Sequence, residues 1–425
     1  MPFKNFGLSD PLVQGILATG YIAPTEIQSK AIPAAMAGRD VVGCAQTGTG
    51  KTAAFVLPIL DRLSHEPAPK QRIVRALILT PTRELAIQIE AAILEYGRFT
   101  HLKALAVYGG VKIKAQISRL HHGIDIVVAT PGRLLDHMDR HTVDLGKIEV
   151  LVLDEADRML DMGFINDVRK IVGRLPRNRQ TMLFSATISP EVKRLAADML
   201  KSPVTIQIGR LYNPIDTITQ HAYRVRRDQK TPLLLHMLER EKMQSVLIFS
   251  RTKHGADRIH RNLSKAGIVS IPLHSDRTQA QRQQALDGFK RGKYRVMVAT
   301  DIAARGIDVE GISHVINYDV PAYPEDYIHR IGRTGRATAT GDAIMLVAAE
   351  EEPSLRKIEE FIDRSFAWDT YESFKPAPLP RSARPSAPAA AAAAAAAKPS
   401  TPKKAPSAEV RRRLAGRPHR SIRRR

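Results

Sequence analysis

The sequence predicts an α/β protein with two tandem parallel-sheet domains and a disordered basic tail. Short apolar runs that end in small polar residues alternate with helical patterns, which is typical of parallel strands covered by helices on both faces. This pattern breaks after residue 208 and then restarts. From Pro376 onward, Pro, Ala, Ser and basic residues dominate. We therefore predict domains at residues 1–208 and 217–365, a hinge at 209–216 and a disordered tail at 376–425.

In the first half of the chain, short apolar runs predict buried strands. One helix is predicted where apolar residues recur every three or four positions from Val192 to Leu200. The predicted strands are Val41–Cys44, Ala76–Leu79, Ile126–Ala129, Val150–Leu153, 182–184 and 204–208.

The second half repeats this pattern. Apolar runs at Val246–Phe249 and Val296–Ala299 again lead into small polar residues, and residues 312–318 and 343–347 predict further strands. No Gly-Lys-Thr sequence follows any of these runs. We therefore predict two domains of one fold class, of which only the first has a phosphate-binding loop.

A phosphate-binding loop is predicted between the run Val41–Cys44 and a helical pattern that begins at Ala53. Glycines there let backbone N–H groups turn toward phosphate oxygens, and the following helix directs its positive end at the same anion. The pattern assigns Lys51 to the outer phosphates and the Thr52 hydroxyl to Mg²⁺. The alternative is a Gly/Thr-rich turn with an incidental lysine. The loop comprises Ala45, Gln46, Thr47, Gly48, Thr49, Gly50, Lys51 and Thr52, with Ala45 in place of the usual first glycine.

An acidic segment, Asp154-Glu155-Ala156-Asp157, directly follows the run Val150–Leu153. Ligands of parallel α/β sheets bind along the carboxyl edge of the strands. At that edge, Asp154 can hold Mg²⁺ and Glu155 can position a water for attack on a phosphate. Taken alone, the segment also fits a strand that ends in acidic turn residues.

An arginine-rich segment lies at residues 329–336, where Arg330, Arg333 and Arg336 alternate with glycines. Arginine binds phosphate oxygens in a bidentate manner and stabilises the charge of a transferring phosphoryl group. If the two domains close, Arg333 and Arg336 can reach a γ-phosphate held by the first domain. The alternative is a basic loop that faces RNA and has no catalytic role.

The charge of the chain is strongly positive and uneven. The formal net charge is +22, and residues 376–425 contribute +12 of it through 13 Lys/Arg and one acid, which leaves +10 for residues 1–375. Both parts favour a polyanionic partner. The tail contains nine consecutive alanines and two Arg triplets. We interpret it as a tether for nucleic acid, and a solubilising tail is the alternative.

Other compositional features bear on location. No apolar run reaches 18 residues, which argues against a membrane span. The N-terminal residues lack the apolar core of a signal peptide. The single cysteine, Cys44, cannot form an internal disulfide, which fits a reducing compartment. We therefore expect a cytoplasmic protein.

The ordered motifs resemble those of the DEAD-box RNA helicase family, over nearly all of residues 3–350. The Asp-Glu-Ala-Asp spelling and the element around Gln28 separate this family from related DNA helicases. Within the family, the chain most resembles the bacterial type with a basic extension. The resemblance implies two RecA-like domains. The motifs are Phe3 and residues 20–28, 45–52, 81–86, 109–110, 130–133, 154–157, 185–187, 247–251, 279–282, 299–308 and 329–336.

The resemblance also implies the composition of an ATP and Mg²⁺ site. It assigns Gln28 to the adenine edge, Phe3 to stacking on the base, and Asp308 to the ribose. Lys51 and Thr52 would hold phosphates and Mg²⁺, with Asp154 as a further magnesium partner. Glu155 would orient and deprotonate the attacking water. Arg333 and Arg336 would act as arginine fingers, and Ser185 and Thr187 would couple nucleotide state to RNA binding.

By the same resemblance, RNA lies across both domains and is held mainly through sugar and phosphate contacts, which read little sequence. Only 5% of the residues are aromatic, which is few for a base-stacking platform. Contacts to the 2′-OH would distinguish RNA from DNA. The implied RNA-binding residues are Arg83, Gly110, Thr130, Arg133, Arg251, Gln279, Arg282 and Thr300.

The function implied is that of an RNA-dependent ATPase and helicase. In this mechanism, domain closure on ATP and RNA locally opens short duplexes or remodels RNA–protein complexes. Ribosome precursors and the RNA-decay machinery are possible partners. Two alternatives stay open, which are a DNA-translocating helicase and a non-enzymatic RNA clamp or annealing factor.

Overall fold

A computed structural model describes residues 3–45, 48–65, 72–208, 218–241, 243–304, 309, 311–335, 341–371 and 374. Residues Met1–Lys375 form one unit, apart from the segment Pro376–Arg425. The predicted hinge at 209–216 and the predicted tail at 376–425 lie outside the described residues.

The first domain is built on a seven-stranded parallel sheet with the strand order β3-β4-β2-β5-β6-β1-β7. Every residue of the strands β1 to β6 is buried, whereas β7 at one edge is partly exposed. The burial arises because helices cover both faces of a parallel sheet. Along β2, for example, Ile78 belongs to the core on one face while Leu77 and Leu79 belong to the core on the other. The strands are β1 Val41–Cys44, β2 Ala76–Leu79, β3 Ala104–Val107, β4 Ile126–Ala129, β5 Val150–Leu153, β6 Gln180–Ser185 and β7 Val204–Gln207.

Two helices of the first domain, α4 and α9, begin at a side-chain cap. The side chains of Thr82 and Ser189 accept hydrogen bonds from Leu85 N and Val192 N, which satisfies backbone donors that a helix start leaves free. The helices are α1 Asp10–Ala18, α2 Glu26–Met36, α3 Lys51–Ser64, α4 Arg83–Tyr96, α5 Ile113–His121, α6 Pro131–Asp139, α7 Ala156–Asp161, α8 Ile165–Val172 and α9 Pro190–Met199.

The second domain contains a second seven-stranded parallel sheet, ordered β10-β11-β9-β12-β13-β8-β14. This order repeats that of the first sheet strand for strand. The strands are β8 Ile218–Arg224, β9 Val246–Phe249, β10 Ser270–Leu273, β11 Val296–Ala299, β12 His314–Asn317, β13 Gly341–Val347 and β14 Trp368–Asp369. The helices are α10 Lys230–Arg240, α11 Lys253–Lys265, α12 Gln279–Lys290, α13 Asp301–Ala304, α14 Pro324–Ile331 and α15 Glu352–Ile362.

The predicted α/β class and the two parallel sheets are confirmed. Sequence patterns missed β3, β8, β10 and β14. Pro272 interrupts β10, which is an edge strand where a proline is tolerated. β14 lies beyond residue 365 and pairs with β8, and the domain bounds stay predictions. In the described residues, no helix is long and apolar enough to cross a membrane.

Candidate functional site

The phosphate loop follows β1 and leads into α3. Gly50 precedes α3 in the left-handed region with φ 86°, and a Cβ there would lie 2.3 Å from Nε2 of Gln28. Only glycine fits this position without a shift of its neighbours. The buried Lys51 donates from Nζ to the carbonyl oxygen of Ala45 at 2.5 Å. Ala45 N in turn donates to Ser185 O at 3.1 Å, so the loop is anchored to the end of β6.

Helix α2 is bonded directly to this loop. The fully buried Gln28 donates from Nε2 to Gly50 O at 3.0 Å and accepts from Thr25 N at 2.9 Å. The Thr25 hydroxyl donates to Thr49 O at 2.7 Å. The family resemblance assigns Gln28 to adenine and gives Thr25 no role. In the structure both side chains bond to the backbone of the phosphate loop, and the adenine contact of Gln28 stays a prediction.

Most of the other residues predicted to bind nucleotide lie in the N-terminal segment, in the phosphate loop and at the start of α3. Phe3 is buried and packs edge to face against Phe6 and Tyr21, at 6.0 Å between ring centroids in each case. Gly48 adopts φ 85°, and Thr52 is half-buried in the first turn of α3. Gln46, Thr47, Asp308 and Arg336 lie outside the described residues, so their roles stay predictions.

Asp154 follows β5 and is 3% exposed. Its carboxylate accepts a hydrogen bond from Glu155 N at 3.0 Å. Burial, followed by the negative charge of Glu155, raises the pKa of Asp154 to about 7, while Lys51 acts in the opposite direction. A buried carboxyl of this kind is stabilised in its charged form by a cation. Among the described residues, no three His, Cys, Asp or Glu side chains form a metal-binding group.

Glu155 lies at the start of α7 with φ 51° and ψ 52°, which is an uncommon conformation for a residue other than glycine and is worth a functional explanation. Both of its carboxylate oxygens accept from Nη1 of Arg158, at 2.9 and 2.8 Å. Sequence reasoning missed Arg158. The available signal was the pairing of opposite charges three residues apart on a helix.

Asp157 links this segment to β6 and to the second domain. Its Oδ2 accepts from Ala186 N at 3.0 Å, from Thr187 N at 2.9 Å and from the Thr187 hydroxyl at 3.0 Å. Burial acts to raise the pKa of Asp157, but the charges of His329 and Lys51 outweigh it and hold the pKa below its usual value. The predicted coupling residue Thr187 is therefore bonded to the acidic segment.

The arginines of the second domain have different environments. Arg330 forms two bonds to the Asp301 carboxylate at 2.6 and 2.8 Å, and its guanidinium lies 5.0 Å from the Phe249 ring centroid. Its charge is therefore neutralised within its own domain. Arg333 is also buried, donates to His329 O at 3.3 Å, and lines a narrow void together with Arg158.

The RNA-binding residues predicted in the first domain follow β2, β3 and β4 and so lie at one edge of the sheet. Gly110 has φ 83°, and a Cβ there would lie 2.1 Å from Nη1 of Arg83. Thr130 donates from its backbone N to Val107 O at 3.0 Å. Arg133 donates from Nη1 to Gln116 Oε1 at 2.9 Å. Gln116 is buried, and sequence reasoning missed it.

Gln279 and Arg282 of the second domain instead contact the first domain. Gln279 Nε2 and Arg282 Nη2 each lie 3.0 Å from Oε1 of Glu84, a buried residue in α4. Burial lowers the pKa of Arg282, and the charge of Glu84 opposes that shift. The structure thus places both residues at the boundary between the domains, and Glu84 was missed from the sequence. Their RNA contacts stay predictions.

Arg251 and Thr300 complete the predicted set. Arg251 is about half exposed and donates from Nη2 to Val320 O at 3.2 Å. Thr300 precedes α13 and donates from its backbone N to Leu273 O at 3.3 Å. Both follow strands of the second sheet at the carboxyl edge.

The chain matches two family descriptions. Residues 25–195 match the DEAD/DEAH box helicase family, and residues 229–338 match the helicase conserved C-terminal domain. The chain is 42% identical over 360 residues to the ATP-dependent RNA helicase CshA of Limosilactobacillus reuteri, which corresponds to 85% of this chain and 72% of that protein.

Solved structures of such proteins share the fold. S. cerevisiae Dbp5 bound to RNA and ADP BeF3 has a TM-score of 0.78 at 32% identity, over 86% of this chain and 95% of that chain. A variant of Dbp5 bound to a Gle1 variant and IP6 has a TM-score of 0.69 at 33% identity, over 86% and 94%.

Proposed function

This chain belongs to the DEAD/DEAH box helicase family, and we propose that it couples ATP hydrolysis to the local unwinding of short RNA duplexes or the remodelling of RNA–protein complexes. The observation that carries the proposal is that the phosphate loop after β1 and the acidic segment after β5 are both bonded to the end of β6. Ala45 N donates to Ser185 O at 3.1 Å, and Ala186 N donates to Asp157 at 3.0 Å. A phosphate held at Lys51 would therefore lie beside the acidic segment.

The residues at this site fit Mg²⁺ together with ATP. Asp154 is a buried carboxyl whose pKa is raised to about 7, first by burial, and the Thr52 hydroxyl lies in the first turn of α3. Mg²⁺ prefers one or two carboxylates together with substrate phosphates and water. When bound, the ion neutralises charge on the phosphate oxygens. Glu155 would orient the attacking water, and Arg333 of the second domain would contribute a positive charge near the phosphates.

RNA binding is proposed at the carboxyl edges of the two sheets. The higher TM-score with RNA-bound Dbp5 than with the Gle1-bound variant supports a domain arrangement that suits RNA. Arg83 and Arg133 in the first domain and Arg251 in the second would contact the sugar–phosphate backbone. Gln279 and Arg282 would hold the domains together through Glu84 while RNA is bound.

The decisive experiment is the substitution Glu155→Gln. We expect the variant to bind ATP and RNA normally and to reduce RNA-stimulated ATP hydrolysis by about 100-fold or more, because the oriented water loses its carboxylate. Glu149→Gln is the matched control, since Glu149 precedes the same strand at the opposite edge of the sheet. Rapid hydrolysis by Glu155→Gln would contradict the assigned role of Glu155.

A nucleic-acid control separates the alternative functions. ATP hydrolysis is measured without nucleic acid, with mixed RNA and with single-stranded DNA of matching length. Stimulation by RNA alone supports the proposal, whereas equal stimulation by DNA supports a DNA translocase. RNA binding without hydrolysis supports a non-enzymatic clamp.

The basic tail is proposed to hold RNA near the two domains by electrostatic attraction. Its net charge of +12 over residues 376–425 supports this role. Deletion of residues 376–425 should abolish any ATP-independent strand annealing and leave basal ATP hydrolysis unchanged. We further propose a cytoplasmic protein, on the basis of the single Cys44, with ribosome precursors or the RNA-decay machinery as partners.

A further inference from the structure

Arg158 lies in α7, three residues after Glu155, and only 1% of its side chain is exposed. Its Nη1 atom donates to both carboxylate oxygens of Glu155, at 2.9 and 2.8 Å. An isolated charge in the protein interior is costly, and removal of one member of a buried pair leaves the other uncompensated. Glu155 and Arg158 therefore hold each other in place.

Arg158 also lies at the boundary with the second domain. Its Nη2 atom is buried and has no hydrogen-bond partner in the described part of the chain. The residue lines a void of about 10 Å³, which is near the smallest space that holds one water molecule. The second domain contributes Asp301, Asp326, His329, Arg330 and Arg333 to the lining of this void. A single guanidinium thus extends from the Glu155 carboxylate to the boundary between the domains.

This placement has a consequence for the geometry of the carboxylate. A glutamate side chain has three rotatable bonds, and two hydrogen bonds to one rigid donor remove most of that freedom. Each carboxylate oxygen keeps a second lone pair that can accept a hydrogen bond from water. A misplacement of about 1 Å in a reacting group can cost about 100-fold in rate. A fixed orientation of the Glu155 carboxylate should therefore increase the rate of hydrolysis.

We propose that Arg158 is a positioning residue for ATP hydrolysis, which holds the Glu155 carboxylate toward the attacking water at the boundary with the second domain. The inference rests on the proposed role of Glu155.

The test is the pair of variants Arg158→Ala and Arg158→Lys. For Arg158→Ala we expect kcat of RNA-stimulated hydrolysis to fall by about 10- to 100-fold while KM for ATP stays within about threefold. Arg158→Lys should recover part of the loss, because lysine keeps the charge but lacks the planar fork. Arg194→Ala is the matched control, since Arg194 forms an exposed ion pair with Glu191 at the same three-residue spacing.

A double-mutant cycle in the Glu155→Gln background separates this inference from the proposed function. Under single-turnover conditions, Arg158→Ala should cause no further loss there, because Arg158 acts through Glu155. An unchanged kcat for Arg158→Ala, a rise in KM alone, or a loss that multiplies with that of Glu155→Gln would each overturn the inference. If Glu155→Gln itself hydrolyses ATP rapidly, the proposed function fails instead. If Arg158→Ala does not fold, Arg158→Lys carries the same comparison.

Discussion

The two domains share one strand order, yet the aspartates at the equivalent carboxyl edges of their sheets accept hydrogen bonds from different donors. Asp154 follows β5 and accepts a hydrogen bond from the N–H of its own neighbour, Glu155. Asp319 follows the corresponding strand β12 and accepts from the Ser250 hydroxyl at 3.1 Å and from Arg251 N at 2.8 Å. The second domain thus satisfies its carboxylate internally, whereas we propose that the carboxylate of Asp154 in the first domain binds Mg²⁺.

The buried lysines show the same difference. Lys51 donates to a loop carbonyl oxygen, whereas Lys230 of the second domain is bonded to the Glu351 carboxylate and donates to Tyr318 O at 2.8 Å. A lysine ammonium that is bonded only to a carbonyl oxygen can exchange that partner for a phosphate. A lysine in a buried ion pair cannot do so at low cost, because its carboxylate would be left unpaired. Repetition of a fold therefore does not repeat a site, because the site depends on which polar groups are left incompletely satisfied.

The largest expected effect concerns these two lysines. Lys51→Ala should reduce ATP hydrolysis by about 100- to 1,000-fold, because a donor to developing phosphate charge is lost. Lys230→Ala should instead lower the free energy of unfolding by about 3 kcal/mol, because it leaves Glu351 buried without its main cation. ATPase assays and urea unfolding on both variants measure the two effects. If both variants lost the same ATPase activity and kept the same stability, the two lysines would not differ in the way described.

The second prediction concerns Asp154 and pH. Burial and the Glu155 charge raise its pKa from 3.8 to about 7 in the folded state. Its contribution to stability is therefore complete below about pH 4 and is lost as pH rises through 7, at about 1.4 kcal/mol per pKa unit. Without Mg²⁺, the free energy of unfolding should fall between pH 5 and pH 8, and Asp154→Asn should flatten that decline.

The matched variant for this prediction is Asp319→Asn. Because Asp319 already accepts two hydrogen bonds, the substitution should lower the free energy of unfolding by about 1 kcal/mol at pH 8. Asp154→Asn should raise it at the same pH in metal-free buffer. Urea unfolding at pH 5, 6.5 and 8 tests both, and effects of the same sign at pH 8 would contradict the comparison.

The third prediction compares loops after the equivalent strands β3 and β10. In the first domain, Gly110 leaves room for Arg83, and in the second, the buried His274 is paired with Asp257 at 3.0 Å. Gly110→Ala should raise the Kd for RNA about 10-fold, because the methyl group meets the Arg83 guanidinium and the left-handed backbone is strained. Nucleotide affinity should stay unchanged, and fluorescence anisotropy measures both.

Gly163→Ala is the control for backbone strain, since Gly163 has φ 75° and open space at its Cβ position. It should cost about 1 kcal/mol of stability and leave RNA affinity as it is. If both glycine variants weaken RNA binding equally, the contact with Arg83 has no role in RNA binding.

The smallest expected effect is at the boundary where the two domains meet. Glu84→Gln should weaken RNA binding about fivefold in the presence of ADP and beryllium fluoride, because Arg282 loses its buried counter-charge. RNA binding without nucleotide should change little. Glu90→Gln in the same helix is the control, as Glu90 pairs with the exposed Arg119. Equal effects of the two variants would show that Glu84 does not favour domain contact.

Many of the strands could be predicted from short runs of apolar residues. Runs such as Val150–Leu153 and Val246–Phe249 are apolar at every position, which is what a strand buried on both faces requires. Strands with weaker signals were missed for identifiable reasons. β3 contains two alanines, β10 contains Pro272, and β14 has only two residues and depends on pairing with β8.

The site was predictable where chemistry depends on residues close in sequence. The spacing of Lys51 and Thr52 in the phosphate loop and the acidic residues after β5 were recognisable without coordinates. Among the arginines, spacing alone did not show that Arg330 is engaged by Asp301 while Arg333 lines the void beside Arg158. That distinction depends on residues far away along the chain.

The amino-acid sequence is enough to predict the parallel α/β architecture, the phosphate loop, the acidic segment and the basic charge, because each depends on short-range spacing or composition. Which of these polar groups have internal hydrogen-bond or ion-pair partners depends on the folded chain. Gln279 and Glu84 meet across 195 positions of sequence, and the pKa of Asp154 is raised because folding removes it from water beside Glu155. Burial and long-range pairing are properties of the folded chain, and they distinguish the ligand-binding domain from its structural repeat.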